Sequence, residues 1–362
     1  MRLLRLALLL LTVTGLSATR AQDAPLYLGA DRPSLESSVV PGVQSATLSG
    51  RTITQVVLPV DVFVPIAGTW AVSAQAVYAT VDGRQTAGLS GLGDVQLALS
   101  HVRPVGPGGV VVSTAVNVPT GQRTLTAAEA ETAFLVGQGF YGFRLPSLGQ
   151  GLNVTPGLTL ALPLGPRLSV GAGAAYQVRG PFTPQADVAA SYDPADEVLL
   201  TGGVDVGIGA VTSLSGDVAV SLYGEDTWDG ETYAPSTSVS VVGQMRTEAG
   251  PARLRVLGQY RSRPPGEVTG LGLRFGADGT VPAQVRGIVE VAATLGTRVD
   301  LGAQVQGRYY EASELFGDKL VVDLRLLPRV RVDEVGSVVG RIGAFVGDVR
   351  GVDMAIGFAW EF

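Results

Sequence analysis

The chain has no cysteine, one histidine (His101) and one lysine (Lys319). Without cysteine there are no disulfides, no thiol chemistry and no lipoprotein anchor. One histidine with no thiol partner leaves zinc sites and Cys/His catalysis short of ligands. No stretch offers about 18 apolar residues free of charge and proline, so no membrane-spanning helix is expected. No long helical amphipathic pattern is sustained either. Charged residues are 16% of the chain, and the net charge of −6 argues against nucleic acid as a partner. These absences point away from an enzyme; no catalytic residue, cofactor or metal is expected.

What the chain does have is 46% hydrophobic residues, 49 glycines and many short alternating segments. Its end is the clearest of them. Met354, Ile356, Phe358, Trp360 and Phe362 alternate with Ala355, Gly357, Ala359 and Glu361, so one strand face is large and apolar and the other small or charged. This ending resembles the C-terminal signal of bacterial outer-membrane barrels, and the resemblance implies that Phe358, Trp360 and Phe362 are read by the barrel-assembly machinery. At the other end, Arg2 and Arg5 precede the apolar run Leu6–Leu11 and a small-residue stretch at Thr19–Ala21. Residues 1–21 read as a secretory signal peptide.

Residues 22–42 lack periodicity and are expected as a periplasmic N-terminal segment. From residue 43 to 362 the reading is one barrel. Clean alternation occurs at Val56, Leu58, Val60, Val62 and Val64, and again at Leu152, Val154, Leu158, Leu160 and Leu162. The expected strands number about 16, with twelve to fourteen as the alternative counts. Connections alternate between tight ones, such as 66–68, 104–108, 164–165, 249–250 and 332–334, and long ones at 82–91, 120–148, 181–195, 225–233 and 264–280. That sidedness defines an all-β, antiparallel transmembrane barrel with short periplasmic turns and long extracellular loops. Within the longest interruption, Thr126 with Glu129 three residues on predicts a helix N-terminus.

Alternation also sorts charges. A charged side chain on the lipid face costs roughly 2–4 kcal/mol at the bilayer midplane, so strand charges are expected to face the lumen. The expected pore-lining residues are Arg253, Arg255, Arg286, Glu290, Asp323, Arg325, Arg329, Arg331 and Arg341. Arg298, Asp94, Asp205, Asp217 and Asp300 are placed on the same face. Clustered arginines predict a mild preference for small anions. The alternative is that they pair with acids such as Asp323, Glu290 and Asp300 across strands. Tyr78, Tyr176, Tyr260, Tyr309 and Trp360 are placed outward, where an aromatic girdle belongs. His101 also falls outward at a strand end, as an interfacial side chain. Glu225, Asp226, Asp229 and Glu231 crowd one loop around Trp228; their spacing matches no standard calcium loop, and a solvated acidic loop tip is expected.

Several ordered motifs resemble one family. Asp31-Arg32-Pro33 leads to Val39-Val40-Pro41-Gly42. There follow Gly91-Leu92-Gly93-Asp94, Asn117-Val118-Pro119-Thr120-Gly121, Leu148-Gly149-Gln150-Gly151 and Tyr192-Asp193-Pro194-Ala195-Asp196-Glu197. Together they resemble the outer-membrane transporter barrels of the meta-pathway of phenol degradation, over residues 31–225 and the closing strand. Residues 122–146 and 232–348 depart from that pattern. The resemblance implies an outer-membrane channel for passive uptake of small, hydrophobic or aromatic compounds, in contact with outer-membrane lipids and small-molecule solutes. The alternative is a structural or adhesive outer-membrane barrel with a closed lumen and partner-binding loops.

Overall fold

The computed structural model describes residues 36–361 except 67, 85, 123, 138, 144–148, 150, 185, 187–190, 229, 265–266, 270–282 and 313–315. The expected signal peptide, the segment up to residue 35, and Phe362 lie outside the described residues.

The chain forms a closed antiparallel barrel of 16 strands with one short helix. The first strand, β1, is interrupted: Glu36–Val39, then Gly42–Leu48. It is followed by β2 (Arg51–Ile66), β3 (Trp70–Gly83), the interrupted β4 (Leu89–Leu92 and Val95–Val105) and β5 (Gly108–Val118). The helix α1 (Ala127–Val136) comes next. Then come β6 (Asn153–Pro163), β7 (Leu168–Arg179), β8 (Glu197–Ile208), β9 (Thr212–Tyr223), β10 (Ser238–Ala249) and β11 (Ala252–Ser262). The last five are β12 (Ala283–Leu295), β13 (Val299–Tyr310), β14 (Lys319–Arg331), β15 (Gly336–Gly347) and β16 (Arg350–Glu361).

Each strand pairs with its sequence neighbours, and β1 pairs with both β2 and β16, which closes the ring. Closure removes the unpaired edges that an open sheet would present. Pairing is already present at Glu36, opposite Glu361, ahead of the expected start at residue 43. The reason is local. Pro41 has no N–H to give and interrupts β1, so the alternation before it is hard to read. The closing strand fits itself to that break. A Cβ at Gly357 would lie 2.0 Å from the Val39 carbonyl oxygen and 2.5 Å from Val40 Cα, so only glycine allows the two backbones to approach.

The two rims differ as expected. The tight turns after β2, β4, β6, β8, β10, β12 and β14 share one rim with both chain ends. The longer connections, with the tight turns after β1 and β15, share the other. Three of the long loops add a four-stranded antiparallel sheet at this loop rim, from Tyr192–Asp193, Asp226–Trp228, Glu231–Ala234 and Glu267–Thr269.

The outer face is apolar. Val56, Leu58, Leu97, Leu99, Val204, Val289, Leu324, Ile342 and Ile356 are among the large side chains exposed on it. Charges on this face, such as Asp82, Arg103 and Arg350, stand at strand ends. Tyr78, Tyr176, Tyr260 and Tyr309 form an outer ring toward the loop rim, and Trp70, Phe358 and Trp360 one toward the turn rim. His101 lies in that second ring, stacked on Trp70 with centroids 4.3 Å apart. Inward side chains include the buried polar residues Gln55, Gln177, Gln304, Gln306 and Asn153. Apolar out and polar in is the inverse of a soluble barrel.

Candidate functional site

The lumen is divided by the long connection between β5 and β6. Its helix starts where the sequence predicts. The Thr126 hydroxyl accepts from the Glu129 amide, and the Glu129 carboxylate accepts from the Thr126 amide at 2.8 Å. Hydrogen bonding to the Thr126 backbone and hydroxyl holds the Glu129 carboxyl below its ordinary pKa.

The destination of this segment is a finding of the structure. After α1, a single 3-10 turn, Gly139–Tyr141, carries the chain into the barrel. Phe140 and Tyr141 are each 1% exposed, and Phe143 is 3% exposed. They join Leu135 and Val136 of α1 in a cluster with Ala46 of β1, Ile53 and Val57 of β2, and Val77, Ala79 and Val81 of β3. Leu89 of β4, Tyr310 of β13, Val321 of β14 and Phe345 of β15 complete the ring of contacts. None of this cluster comes from β5 to β12. Phe140 meets Tyr310 edge-on at 6.1 Å and Phe316 at 5.2 Å. The segment is a plug that rests against one half of the wall.

Three hydrogen bonds latch it. Arg308 Nη1 donates to the Gly139 carbonyl at 3.1 Å, and the Tyr310 hydroxyl donates to the same oxygen at 2.6 Å. Gln44 Nε2 donates to the Tyr141 carbonyl at 2.8 Å. Gly142 lies against the Arg308 guanidinium with φ 69°, where a Cβ would come within 2.6 Å of Nη1. Burial holds the Tyr141 phenol above its ordinary pKa, so it stays neutral.

Arg308 also belongs to a charge ladder across the wall. Its Nε and Nη2 donate to the two oxygens of Asp323 at 3.0 and 3.2 Å. Arg325 lies 3.4 Å from Asp323 and 3.8 Å from Asp353. Arg341 reaches Asp353 at 2.7 Å. Arginine and aspartate thus alternate from β13 through β14 and β15 to β16. Asp323 and Arg308 are almost fully buried, and such a pair holds only while both partners are present.

The remaining expected pore-lining residues also share the inward parity. Arg255 donates to Gln244 at 2.8 Å, and Arg286 donates to Gln306 at 3.2 Å. Glu290 accepts from Gln304 at 3.3 Å. Arg329 donates to the Ser337 hydroxyl at 3.1 Å. Arg253 and Arg331 both face Asp300, at 3.9 and 3.6 Å, with side chains 39% and 53% exposed at the turn rim. Arg298 is exposed in the turn after β12. The cross-strand pairing weighed from the sequence is therefore present for Asp323 and Asp300, and Glu290 stands opposite Arg255 in the register of β11 and β12. Phe358 and Trp360 of the expected assembly signal lie outward and stack at 6.3 Å.

Away from the plug the wall has a different character. Inward on β7 to β9 stand Ser169, Ala175, Thr201, Ser215, Ala219 and Ser221, with Asp205 and Asp217, all partly exposed, whereas Gln177, Glu197 and Leu199 nearer the loop rim are buried.

Sequence reasoning missed Arg308, Asp353 and Tyr310. Parity was a sufficient signal for them: Arg308 and Tyr310 continue the inward series Gln304 and Gln306, and Asp353 faces away from Met354. It also missed the loop-rim arginines Arg179, Arg261 and Arg263. No periodic signal marks Phe140, Tyr141 and Phe143.

The ordered motifs meet at the loop rim. Asn117 Nδ2 donates to Asp94 Oδ2 and to the Gly151 carbonyl, both at 2.7 Å. The Gly121 amide donates to Asp94 Oδ1 at 2.9 Å, and the Thr120 hydroxyl accepts from the Val95 amide at 2.9 Å. Asp94 sits in the break of β4, so both ends of the plug connection are tied to that break. The Tyr192–Glu197 run ties the loop sheet: the Tyr192 hydroxyl and the Ala195 amide donate to Asp226. Asp226 is consequently buried rather than part of a solvated acidic tip, and Asp229 lies outside the described residues. Among the described residues, no group of three or more His, Asp or Glu side chains is placed to hold a metal.

A closed barrel with an apolar girdled exterior and a polar, partly plugged lumen is the class this geometry defines. No family model matches the chain, and no curated protein matches it. Among solved structures the similarities are distant. A bacterial polysaccharide outer membrane secretin is 10% identical over 90% of this chain and 98% of its own, with TM-score 0.47. The CymD monoaromatic hydrocarbon channel is 12% identical over 90% and 88%, with TM-score 0.43. An outer membrane channel from Pseudomonas putida F1 is 11% identical over 94% and 98%, with TM-score 0.39. The phenol meta-pathway resemblance rests on the sequence motifs alone.

Proposed function

We propose that the protein is an outer-membrane channel for passive uptake of small solutes. The observation that carries this reading is the asymmetry of the lumen. The plug packs on β1 to β4 and β13 to β15, while the wall of β7 to β9 below its loop-rim end keeps a partly exposed lining of small, hydroxylic and acidic side chains. Such a lining suits a conduit and does not suit a packed core. The apolar belt between two aromatic rings supports a bilayer location, because only a closed barrel lets strands cross lipid with every backbone group satisfied. The secretory leader and closing-strand pattern in the sequence support the outer membrane, with the turn rim periplasmic. Lipids and the assembly machinery are then the partners of the outer face and the closing strand. Aromatic or hydrophobic solutes remain part of the proposal, on the family resemblance.

A second reading, a closed structural or adhesive barrel, is favoured by one observation: the plug and the loop sheet both gather at the loop rim. Single-channel recording of the refolded barrel in a planar bilayer separates the two. Steady ohmic steps support the channel; a folded, inserted barrel without steps supports the closed form.

A further inference from the structure

We infer that Asp217 sets the charge preference of the conduit: among small ionised solutes the lumen passes cations, ammonium ions included, in preference to anions such as carboxylates. The inference rests on the channel reading and deepens it. Asp217 stands midway along β9 with inward parity. Its register partners are Gly203 on β8 and Val242 on β10, and neither carries a polar side chain. A Cβ at Gly203 would lie 2.4 Å from Asp217 Oδ1, so the carboxylate lies across that glycine. Beyond Gly203 stands Gly171 of β7, and Gly173 follows one inward position on, opposite Thr201. The wall beside the carboxylate therefore has little bulk, and Asp217 itself is partly exposed.

Most other inward charges are answered. Arg308, Asp323, Arg325, Asp353 and Arg341 form the ladder. Arg253 and Arg331 share Asp300 at the turn rim, and Arg179 pairs with Glu197 at the loop rim. Arg255 faces Glu290 in register, and both Arg255 and Arg286 are buried. Asp205, opposite Ser215, feels the opposite charge of Arg246. Asp217 differs. Among the described residues it has no hydrogen bond and no cation partner, and the charge that bears on it is the like charge of Asp205. Two inward arginines on the neighbouring wall stand at a remove. Arg246 lies two inward positions from Val242 toward the turn rim, and Arg261 of β11 lies opposite Ser240 toward the loop rim.

An unanswered carboxylate midway along a narrow passage attracts a cation and repels an anion where low-dielectric walls focus its field. An arginine beside an aspartate contributes far less, because the two charges nearly cancel at the distance of a passing solute. A count of arginines on the inward face therefore overstates the positive field that a solute meets. The sign that results is opposite to the anion preference expected from the arginine clusters.

The test is the reversal potential of the refolded barrel in a planar bilayer, under a gradient of dilute KCl, where charge is least screened. Potassium is expected to permeate more readily than chloride. Asp217→Asn is expected to lower that permeability ratio about fivefold, the factor given by two unit charges in contact across water. Asp217→Glu is expected to keep the ratio, and so is Asp82→Asn on the outer face. Heat-modifiable mobility confirms that each variant is folded. With the salts of the two ions in place of KCl, benzylammonium is expected to outpace benzoate in the wild type and to lose that lead in Asp217→Asn. The inference is overturned if the wild type passes chloride or benzoate more readily, or if Asp217→Asn keeps the wild-type ratio. It is equally overturned if Asp217→Glu or Asp82→Asn loses the ratio as fully as Asp217→Asn does. Any of these results from a conducting barrel leaves the channel reading standing. A folded, inserted barrel without conductance steps refutes the channel reading, and the inference with it.

Discussion

Replacing Phe140 with alanine should free the plug without unfolding the barrel. Phe140 is 1% exposed and touches Tyr141, Tyr310 and Phe316 with ring centroids 5.0, 6.1 and 5.2 Å away. Truncating a phenylalanine buried to this degree costs about 3–5 kcal/mol. That loss falls on the docking equilibrium, because Phe140 belongs to the plug and the strands remain paired through their backbones. At about 1.4 kcal/mol per tenfold, docking weakens by roughly two to three and a half orders of magnitude. Three latch hydrogen bonds remain, each worth about 0.5–1.5 kcal/mol net. They are comparable with the loss, so the variant should sample both states. Two measurements read this. Single-channel conductance should rise or fluctuate between a small and a large level. A cysteine at position 132, buried in the docked plug, is the only thiol in a chain without native cysteine, and its labelling should accelerate in the Phe140→Ala background. Unchanged conductance together with unchanged labelling would refute the idea that this segment occludes the lumen.

Asp323→Asn removes the shared carboxylate of Arg308 and Arg325 and should destabilise the barrel by about 3–5 kcal/mol, seen as a lower temperature for loss of heat-modifiable mobility; an unshifted transition would mean the ladder contributes nothing. Asn117→Ala cuts the tie between Asp94 and Gly151 and should speed proteolysis within 119–152 while leaving the barrel resistant. Phe362→Ser should reduce outer-membrane assembly with export intact, and normal amounts of protease-resistant barrel would defeat it. Arg325→Gln should shift the reversal potential in asymmetric KCl little, because Arg325 is balanced by Asp323 and Asp353; a large shift toward cation selectivity would show that this wall sets selectivity.

Much of the barrel was legible because a period of two is imposed by the bilayer on almost every strand. Val56 to Val64 and Met354 to Trp360 could be read without knowing any partner. The same rule placed each expected pore-lining charge on the inward face. It could not say which charges meet, since that depends on register between strands: Arg308 reaches Asp323 only because Gln306, its neighbour two residues back, stands opposite Asp323. The start of β1 escaped because Pro41 interrupts it. The plug was half legible. Thr126 and Glu129 announce a helix by a local capping pattern, but Phe140, Tyr141 and Phe143 carry no periodicity. Their burial is decided by the width of a barrel formed from residues far away in sequence.

The plug and the ladder belong together. A 16-stranded barrel encloses more space than wall side chains can fill. The plug fills one half with apolar contacts, but its backbone must still be satisfied inside that half. Arg308 resolves this by donating to Asp323 and to Gly139 at once, and Asp323 in turn needs Arg325. Arg308, Asp323, Arg325, Asp353 and Arg341 are therefore consumed in fixing where the plug sits. What is left to meet a solute is the wall of β7 to β9, whose small, hydroxylic and acidic side chains remain partly exposed. On this account that wall, and not the total charge of the lumen, decides which solutes are favoured.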